Sequence, residues 1–170
     1  MNSTVLILPG IGNSGPEHWQ SLWEQANPSF ARVQQRDWGH PVCSEWRDVL
    51  EQTVARVDGN AVLVLLVAHW AAKTHLRIQG ALLVAPPNPD GPNFPREAVG
   101  FSPLSLKSLP FPSIVVASTN DSYGSVAFAR SAASAWGSRF VDIGPAGHIN
   151  SESGLGEWNE GLLLLQQLAV

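Results

Sequence analysis

Short, almost purely apolar runs recur along the chain and alternate with longer amphipathic segments. The first run, Thr4–Leu8, ends at Pro9-Gly10, which is typical of a strand buried on both faces. Five later segments are predicted as strands on similar grounds, and the first of these five is the most polar in its middle. The five are Arg32–Trp38, Ala61–His69, Ala81–Ala85, Ser113–Ser118 and Phe140–Ile143.

The amphipathic segments predict helices between these strands. Pro16–Ala26 places its apolar side chains, among them Trp19 and Trp23, at the i, i+3, i+4, i+7 spacing of one helix face. Three more helices are predicted: one capped by Ser44 with its apolar stripe reaching Val57, Ser125–Trp136 ending at Gly137, and Trp158–Ala169. Strands that alternate with helices predict an α/β fold, a parallel sheet flanked by helices, in a single domain spanning residues 1–170. Residues 86–112 hold eight of the thirteen prolines and predict an irregular excursion.

Composition and charge narrow the functional classes. Of the 170 residues 14% are charged, and the net charge of −4 offers no basic patch for nucleic acid or an anionic membrane. No segment approaches the roughly 20 apolar residues that span a bilayer. The single cysteine, Cys43, fits a reducing compartment and hence a cytoplasmic protein. We interpret Cys43 as a packed side chain rather than a nucleophile paired with His40. The histidines show no metal-ligand spacing, so no metal is assigned.

Three polar or glycine-rich loops follow predicted strands: Pro9–Pro16, Thr119–Gly124 and Gly144–Gly156. The carboxyl ends of parallel strands share one edge of a sheet, so these loops are expected to meet on one rim. Asp121 and His148 lie in the second and third loop, in the chain order in which a hydrolase presents its triad acid and histidine. Such an acid orients the imidazole that takes the proton of a nucleophile. We therefore predict a hydrogen bond between Asp121 and His148.

The first of these loops is a candidate anion-binding loop. Pro9–Gly15 contains three glycines, whose backbone N–H groups can face a ligand, as in an oxyanion hole. A strained turn that merely needs glycine is the alternative. The loop is not G-x-G-x-x-G and lacks the lysine of a P-loop, so a nucleotide site is disfavoured.

Several stretches together resemble the small α/β hydrolases typified by retinoblastoma-binding protein nine. The matching stretches cover nearly the whole chain and include Ser14–Gln20, Gln35–Trp38, Ala81–Pro87, Leu109–Ser113, Asn120-Asp121, Trp136–Ser138 and Gly147–Asn150. The resemblance implies an α/β-hydrolase fold and a cofactor-free serine hydrolase acting on small ester, amide or acyl compounds. It implies Asp121 as triad acid and His148 as triad base. On this basis the oxyanion and substrate-binding residues are assigned to Gly10, Ile11, Gly12, Ser14, His18 and Trp19.

The nucleophile of the family is missing from this sequence. Relatives read Val-Ala-His-Ser-Leu-Gly-Cys, whereas here Ala68-His69 is followed directly by Trp70, and the chain holds no G-x-S-x-G. About nine residues have been removed relative to that pattern, roughly two helical turns. Trp70–Gly80 is then a minimal crossover, for which we expect a stub helix or frayed strand beside exposed apolar sheet. His69 or Trp70 would stand near the empty nucleophile position.

Two functional hypotheses follow. In the first, the chain descends from serine hydrolases and is catalytically impaired because the nucleophile elbow is missing. In the second, it is a non-catalytic scaffold that binds a small acyl ligand or a protein. Ser14, Ser151 and Ser153 are interpreted as turn or capping hydroxyls rather than substitute nucleophiles.

Overall fold

A computed structural model describes residues 4–57, 59–62 and 66–168 of the chain. Its strands form an α/β architecture in which the four hydrogen-bonded strand pairs of the described residues are all parallel. The strands are β1 (Thr4–Ile7), β2 (Phe30–Arg32), β3 (Gly59–Val62), β4 (Ala81–Val84), β5 (Ser113–Ala117) and β6 (Arg139–Asp142). They are hydrogen-bonded in the orders β2-β1-β3 and β4-β5-β6, and β3 lies beside β4. The predicted fold class is confirmed.

Helices cover both faces of the strands. The helices are α1 (Trp19–Ala26), α2 (Cys43–Val54), α3 (Leu66–Ala71), α4 (Val126–Trp136) and α5 (Asn159–Gln166). Alternate residues of the strands enter two separate cores, as the period of two along a strand requires. Leu83 and Val115 pack with α2, α3 and α4, whereas Leu82 and Val116 pack with α1 and α5.

Most predicted elements are present, with shifted boundaries. The prediction of the second strand over Arg32–Trp38 is wrong except at its first residue: β2 is Phe30–Arg32, because the polar residues that follow Val33 have no place in a buried sheet. The helix assigned to a Ser44 cap begins at Cys43 instead, with Val42 as its N-cap residue. The backbone N–H of Cys43 donates to the carbonyl of Val99, which satisfies one free donor of that helix end. Residues 86–112 contain no helix or strand, as predicted.

The predicted central strand Ala61–His69 is wrong over its second half. β3 ends at Val62, and Leu66–Ala71 forms the short helix α3; residues 63–65 lie outside the described residues. A continuous apolar run fits a buried helix as well as a buried strand, and here the need for a crossover decides between them. The expected stub helix exists, but it starts inside the predicted strand rather than after it.

The exposed apolar sheet expected beside this crossover is not seen among the described residues. All four residues of β4 are buried, and α3 buries Leu66, Val67 and Trp70 against the same core. The Glu51 carboxylate of α2 anchors α3. It accepts hydrogen bonds from the Trp70 indole N–H (2.5 Å) and the Thr74 hydroxyl (2.7 Å). The crossover is therefore packed against the core and anchored to α2 by hydrogen bonds to Glu51.

The strand order fixes where a ligand can enter. β1 lies between β2 and β3, so the chain leaves β1 toward one side and returns on the other. Such a reversal opens a crevice at the carboxyl ends of the two central strands, which is where ligands bind in open α/β sheets. The loop after β1 and the start of α3 border that crevice.

Candidate functional site

Asp121 and His148 are hydrogen-bonded to each other, as predicted. His148 Nδ1 lies 3.0 Å from Asp121 Oδ1 and 2.9 Å from Oδ2. The Asp121 side chain is 2% exposed and the His148 side chain 28% exposed, so the acid is buried behind an imidazole that is open on its other edge. A carboxylate accepts from Nδ1 only when that nitrogen carries the proton, which leaves Nε2 of a neutral ring as the acceptor.

The loops that carry this pair are joined by side chains from the end of β5. Asn120 Oδ1 accepts the N–H of Gly147 at 2.7 Å, and the buried Ser118 hydroxyl accepts the N–H of Ala146 at 2.9 Å. The Asp121 carboxylate in turn accepts the N–H of Tyr123 at 2.9 Å. Residues 144–156, called the histidine loop below, are thereby held against residues 119–124, the acid loop.

His148 opens into a cavity of about 420 Å³ at the carboxyl ends of the strands. The cavity is lined by the start of α3, by the irregular segment 86–112, by the histidine loop and by residues 9–16, called the glycine loop below. The residues assigned from sequence to oxyanion or substrate binding all line it: Gly10, Ile11, Gly12, Ser14, His18 and Trp19. The structure therefore brings these residues and His148 to one space, while Asp121 stands behind it.

The glycine loop presents fewer free N–H groups than the sequence predicts. The N–H of Gly12 donates to the carbonyl of Trp38 at 3.1 Å, so Gly12 has no donor for a ligand. Its φ of 82° explains the glycine at that position instead. Within the described residues the N–H groups of Gly10, Ile11, Ser14 and Gly15 have no hydrogen-bond partner, so Gly10 and Ile11 are among the four remaining backbone donors of this loop.

A partly buried arginine holds the glycine loop in place. Arg32 Nη1 donates to the Asn13 carbonyl at 2.7 Å and to the Asn13 side chain at 3.0 Å, and Nη2 donates to the Ser21 hydroxyl at 2.8 Å. Glu24 balances its charge through a contact of 2.8 Å with Nε. Asn13 and Ser14 have positive φ values of 62° and 46°, a strained conformation that these contacts stabilise.

His18 is the N-cap residue of α1, and its Nδ1 accepts the backbone N–H of Gln20 at 3.1 Å. Burial, followed by the nearby charges of Arg32 and His148, lowers the pKa of His18 from 6.5 to about 4. The imidazole is therefore neutral at physiological pH.

Trp19 is a buried wall of the cavity, with its polar atom directed at the backbone. Its indole N–H donates to the carbonyl of Ile149 at 2.8 Å. Ile149 follows His148 and has a positive φ of 50°. Trp19 thus supports the histidine loop, a role that the sequence pattern did not indicate.

None of the serines considered as substitute nucleophiles is activated by a neighbouring base. The Ser14 hydroxyl donates to Gln20 Oε1 at 2.6 Å, and the Ser153 hydroxyl donates to the carbonyl of Ala146 at 2.5 Å. Among the described residues no side chain hydrogen-bonds to Nε2 of His148.

The expectation that His69 or Trp70 stands at the nucleophile position is wrong. Neither lines the cavity; the His69 ring packs against Phe101, and Trp70 is buried with its N–H on Glu51. The residue of α3 that reaches the cavity is Leu66, which carries no hydroxyl.

Cys43 is not a nucleophile candidate in the structure either. Burial raises the pKa of the Cys43 thiol, in keeping with its interpretation as a packed side chain. His40 contacts Asp37 instead.

Sequence reasoning missed Arg32, Leu66 and Phe101 as parts of the site. The available signal for Arg32 was a charged residue at the start of the predicted second strand. Leu66 and Phe101 gave no signal, because an apolar residue that lines a cavity has the same pattern as one in the core.

Within the described ranges no helix is long and apolar enough to cross a membrane. Those ranges also hold no group of three or more His, Cys, Asp or Glu that could bind a metal ion.

Comparison with solved structures supports the fold. A protein described as a YdeN-like hydrolase from Pectobacterium atrosepticum is 31% identical, with a TM-score of 0.84, and the match covers 98% of this chain and 89% of that chain. The ydeN gene product of B. subtilis is 16% identical, with a TM-score of 0.79, and 98% of each chain is covered. An esterase from Thermogutta terrifontis is 16% identical, with a TM-score of 0.67 and coverage of 99% and 88%.

The fold, the acid–histidine pair and these similarities define an α/β hydrolase. Residues 5–167 match the profile described as serine hydrolase, and the chain belongs to that family. Comparison with curated proteins finds no match.

Proposed function

We propose that this chain is a catalytically impaired serine-hydrolase family protein of the retinoblastoma-binding protein nine type, which binds a small ester, amide or acyl compound in its cavity. Asp121 and His148 are proposed as the family's acid and base. The observation that carries the proposal is that Leu66 borders the cavity at the start of α3, while no described hydroxyl contacts Nε2 of His148. A cytoplasmic location stays a prediction from the single cysteine.

The chemical argument for impairment is the loss of a covalent intermediate. His148 can hold a proton, yet without an alcohol beside Nε2 no acyl-enzyme forms. In a well-characterised serine protease, removal of the nucleophile lowers turnover by about a million-fold. The elbow would also supply the N–H after the nucleophile to the oxyanion hole, so the N–H groups of Gly10 and Ile11 would act without that partner.

The argument for retained binding is that the residues assigned to ligand binding line one cavity. The cavity combines apolar walls, including Trp46 and Phe101, with a few polar groups on one side, as small-molecule sites do. The glycine loop and the histidine loop are each fixed by hydrogen bonds, from the Arg32 guanidinium and from the Trp19 indole N–H. A scaffold with these features supports binding of compounds similar to the family's substrates.

A fluorophosphonate probe tests the proposal. Incubation of the intact protein with the probe, followed by intact-mass measurement, is expected to show no covalent adduct, whereas an active serine hydrolase treated in parallel is labelled stoichiometrically. The matched variant is His148→Ala. Stoichiometric labelling of any serine in the wild type, abolished in His148→Ala, would contradict the proposed impairment.

A further inference from the structure

His18 holds its ring in one orientation. Its Nδ1 accepts the N–H of Gln20 at 3.1 Å, which caps the first turn of α1. A backbone N–H can only donate, so Nδ1 must be unprotonated. Gln20 is itself fixed, because its side-chain N–H donates to the Leu8 carbonyl at 3.2 Å and its side-chain oxygen accepts from Ser14. The cap therefore determines which ring nitrogen of His18 carries the proton.

The proton of the neutral ring is then on Nε2, at the edge of the ring opposite the cap. Within the described residues Nε2 of His18 has no hydrogen-bond partner, and the side chain lines the cavity. Protonation of Nδ1 would break the cap and add a charge beside Arg32 and His148, and the pKa of His18 is lowered accordingly. His18 is thus a neutral donor with no acceptor.

Part of the cavity lining is apolar. Trp46, Leu66 and Phe101 line it, and each is less than a tenth exposed. An uncharged N–H donor combined with such a wall suits a ligand that offers an acceptor oxygen at one end and an apolar group at the other.

We propose that the Nε2–H of His18 donates the hydrogen bond that holds the carbonyl oxygen of an uncharged ligand, whose apolar substituent packs against Trp46, Leu66 and Phe101. The inference rests on the proposed function, since it concerns the same cavity. It assigns the site to carbonyl compounds and gives it a side-chain donor that does not depend on the missing elbow.

The test uses a ketone that cannot be hydrolysed, 4-phenyl-2-butanone with carbon-13 at the carbonyl. His18→Asn is the informative variant, because Asn is a favourable N-cap residue whose short side chain can still accept the Gln20 N–H but cannot reach into the cavity. The wild type is expected to bind the ketone and to shift its carbonyl resonance downfield. Binding to His18→Asn is expected to be weaker by roughly 2- to 12-fold, the range that one net hydrogen bond provides, with the shift lost.

Equal affinity and an unchanged carbonyl shift in His18→Asn would overturn the inference and leave the proposed function standing. Failure of the wild type to bind the ketone would also overturn it, and the fluorophosphonate result would still decide the question of impaired chemistry separately. A second measurement uses only the wild type, so its result does not depend on whether the variant folds. Nitrogen-15 spectra of the histidines must show His18 protonated at Nε2 and not at Nδ1, and the reverse tautomer would refute the proposal.

Discussion

Trp19 connects the helix that follows the glycine loop to the loop that carries His148. Its ring packs against Trp23 and Trp158, at centroid distances of 4.6 and 5.0 Å, and its N–H reaches the carbonyl of Ile149. A buried carbonyl without a partner is costly, so the indole N–H is the group that stabilises Ile149 at its positive φ. One residue therefore supports the cavity wall and the position of the imidazole.

Replacing Trp19 by Phe is expected to lower the free energy of unfolding by about 1–3 kcal/mol, because the carbonyl of Ile149 loses its donor. Urea unfolding followed by circular dichroism measures the change. Trp38→Phe is the matched control, since no hydrogen bond of the Trp38 indole is found within the described residues. Equal losses in the two variants would argue against the supporting role of Trp19.

His18 is expected to make stability depend on pH. Its pKa is lowered in the folded protein from 6.5 to about 4, so the unfolded chain takes up a proton before the folded one does. The free energy of unfolding is therefore highest above pH 6.5 and falls between pH 6.5 and 4. The loss due to His18 amounts to about 1–3 kcal/mol, after allowance for the part of the ring that is open to the cavity.

Urea titrations at several pH values between 4 and 7 measure this dependence. The difference between the wild type and His18→Asn isolates His18 from the other titrating groups, because they are present in both proteins. A difference that stays constant over this range would contradict the assignment.

At the scale of elements, α3 is the part of the fold that departs most from the sequence-based prediction. It occupies six residues and buries Leu66, Val67, Ala68 and Trp70. The carboxylate of Glu51 attaches it to α2 through the Trp70 indole and the Thr74 hydroxyl. Packing and one polar anchor together make a very short helix stable, which its propensity alone would not.

Glu51→Ala is expected to lower the free energy of unfolding by about 1–3 kcal/mol, because it leaves the buried Trp70 N–H without an acceptor. Glu51→Gln keeps an acceptor oxygen and should retain most of the stability. Chemical unfolding of both variants gives the comparison. If Gln destabilises as much as Ala, the anchor acts through charge and not through hydrogen bonds.

The elements could be predicted where the local pattern had one interpretation. Ser113–Ala117 and Val126–Trp136 agree with prediction almost to the residue, because apolar periodicity, a Ser cap and a terminal glycine all indicate the same boundaries. The run 61–69 had two interpretations, and tertiary contacts with α2 chose the helix for its end. The capping role of His18 could not be predicted either, because His is not a common N-cap residue.

For the molecule as a whole, the site is assembled by topology. β5 and β6 are parallel neighbours, so the acid and histidine loops that follow them must lie side by side. That relation made the Asp121–His148 contact predictable from chain order alone. The cavity walls were not predictable, because they come from segments as distant in sequence as α2, α3 and residues 86–112.

The irregular segment 86–112 is part of the folded core and not a detachable cover. Phe101 is 4% exposed and packs near Trp46, His69 and Phe94. Phe101→Ala is expected to lower the free energy of unfolding by about 3–5 kcal/mol through loss of buried area and a new void. Val99→Ala, in the same segment but 57% exposed, should stay within about 0.5 kcal/mol. Thermal or urea unfolding tests the pair, and similar effects would refute the distinction.

The acid–histidine pair and its supporting hydrogen bonds come from β5, β6 and their loops, whereas Leu66, the residue of α3 that lines the cavity, belongs to the crossover after β3. The acid–histidine pair and the crossover that carries Leu66 are thus separate parts of this architecture. Under the proposed function, a graft at the segment around Leu66 is the natural place to introduce a nucleophile, and an exogenous small alcohol that enters beside His148 is a simpler substitute to try first.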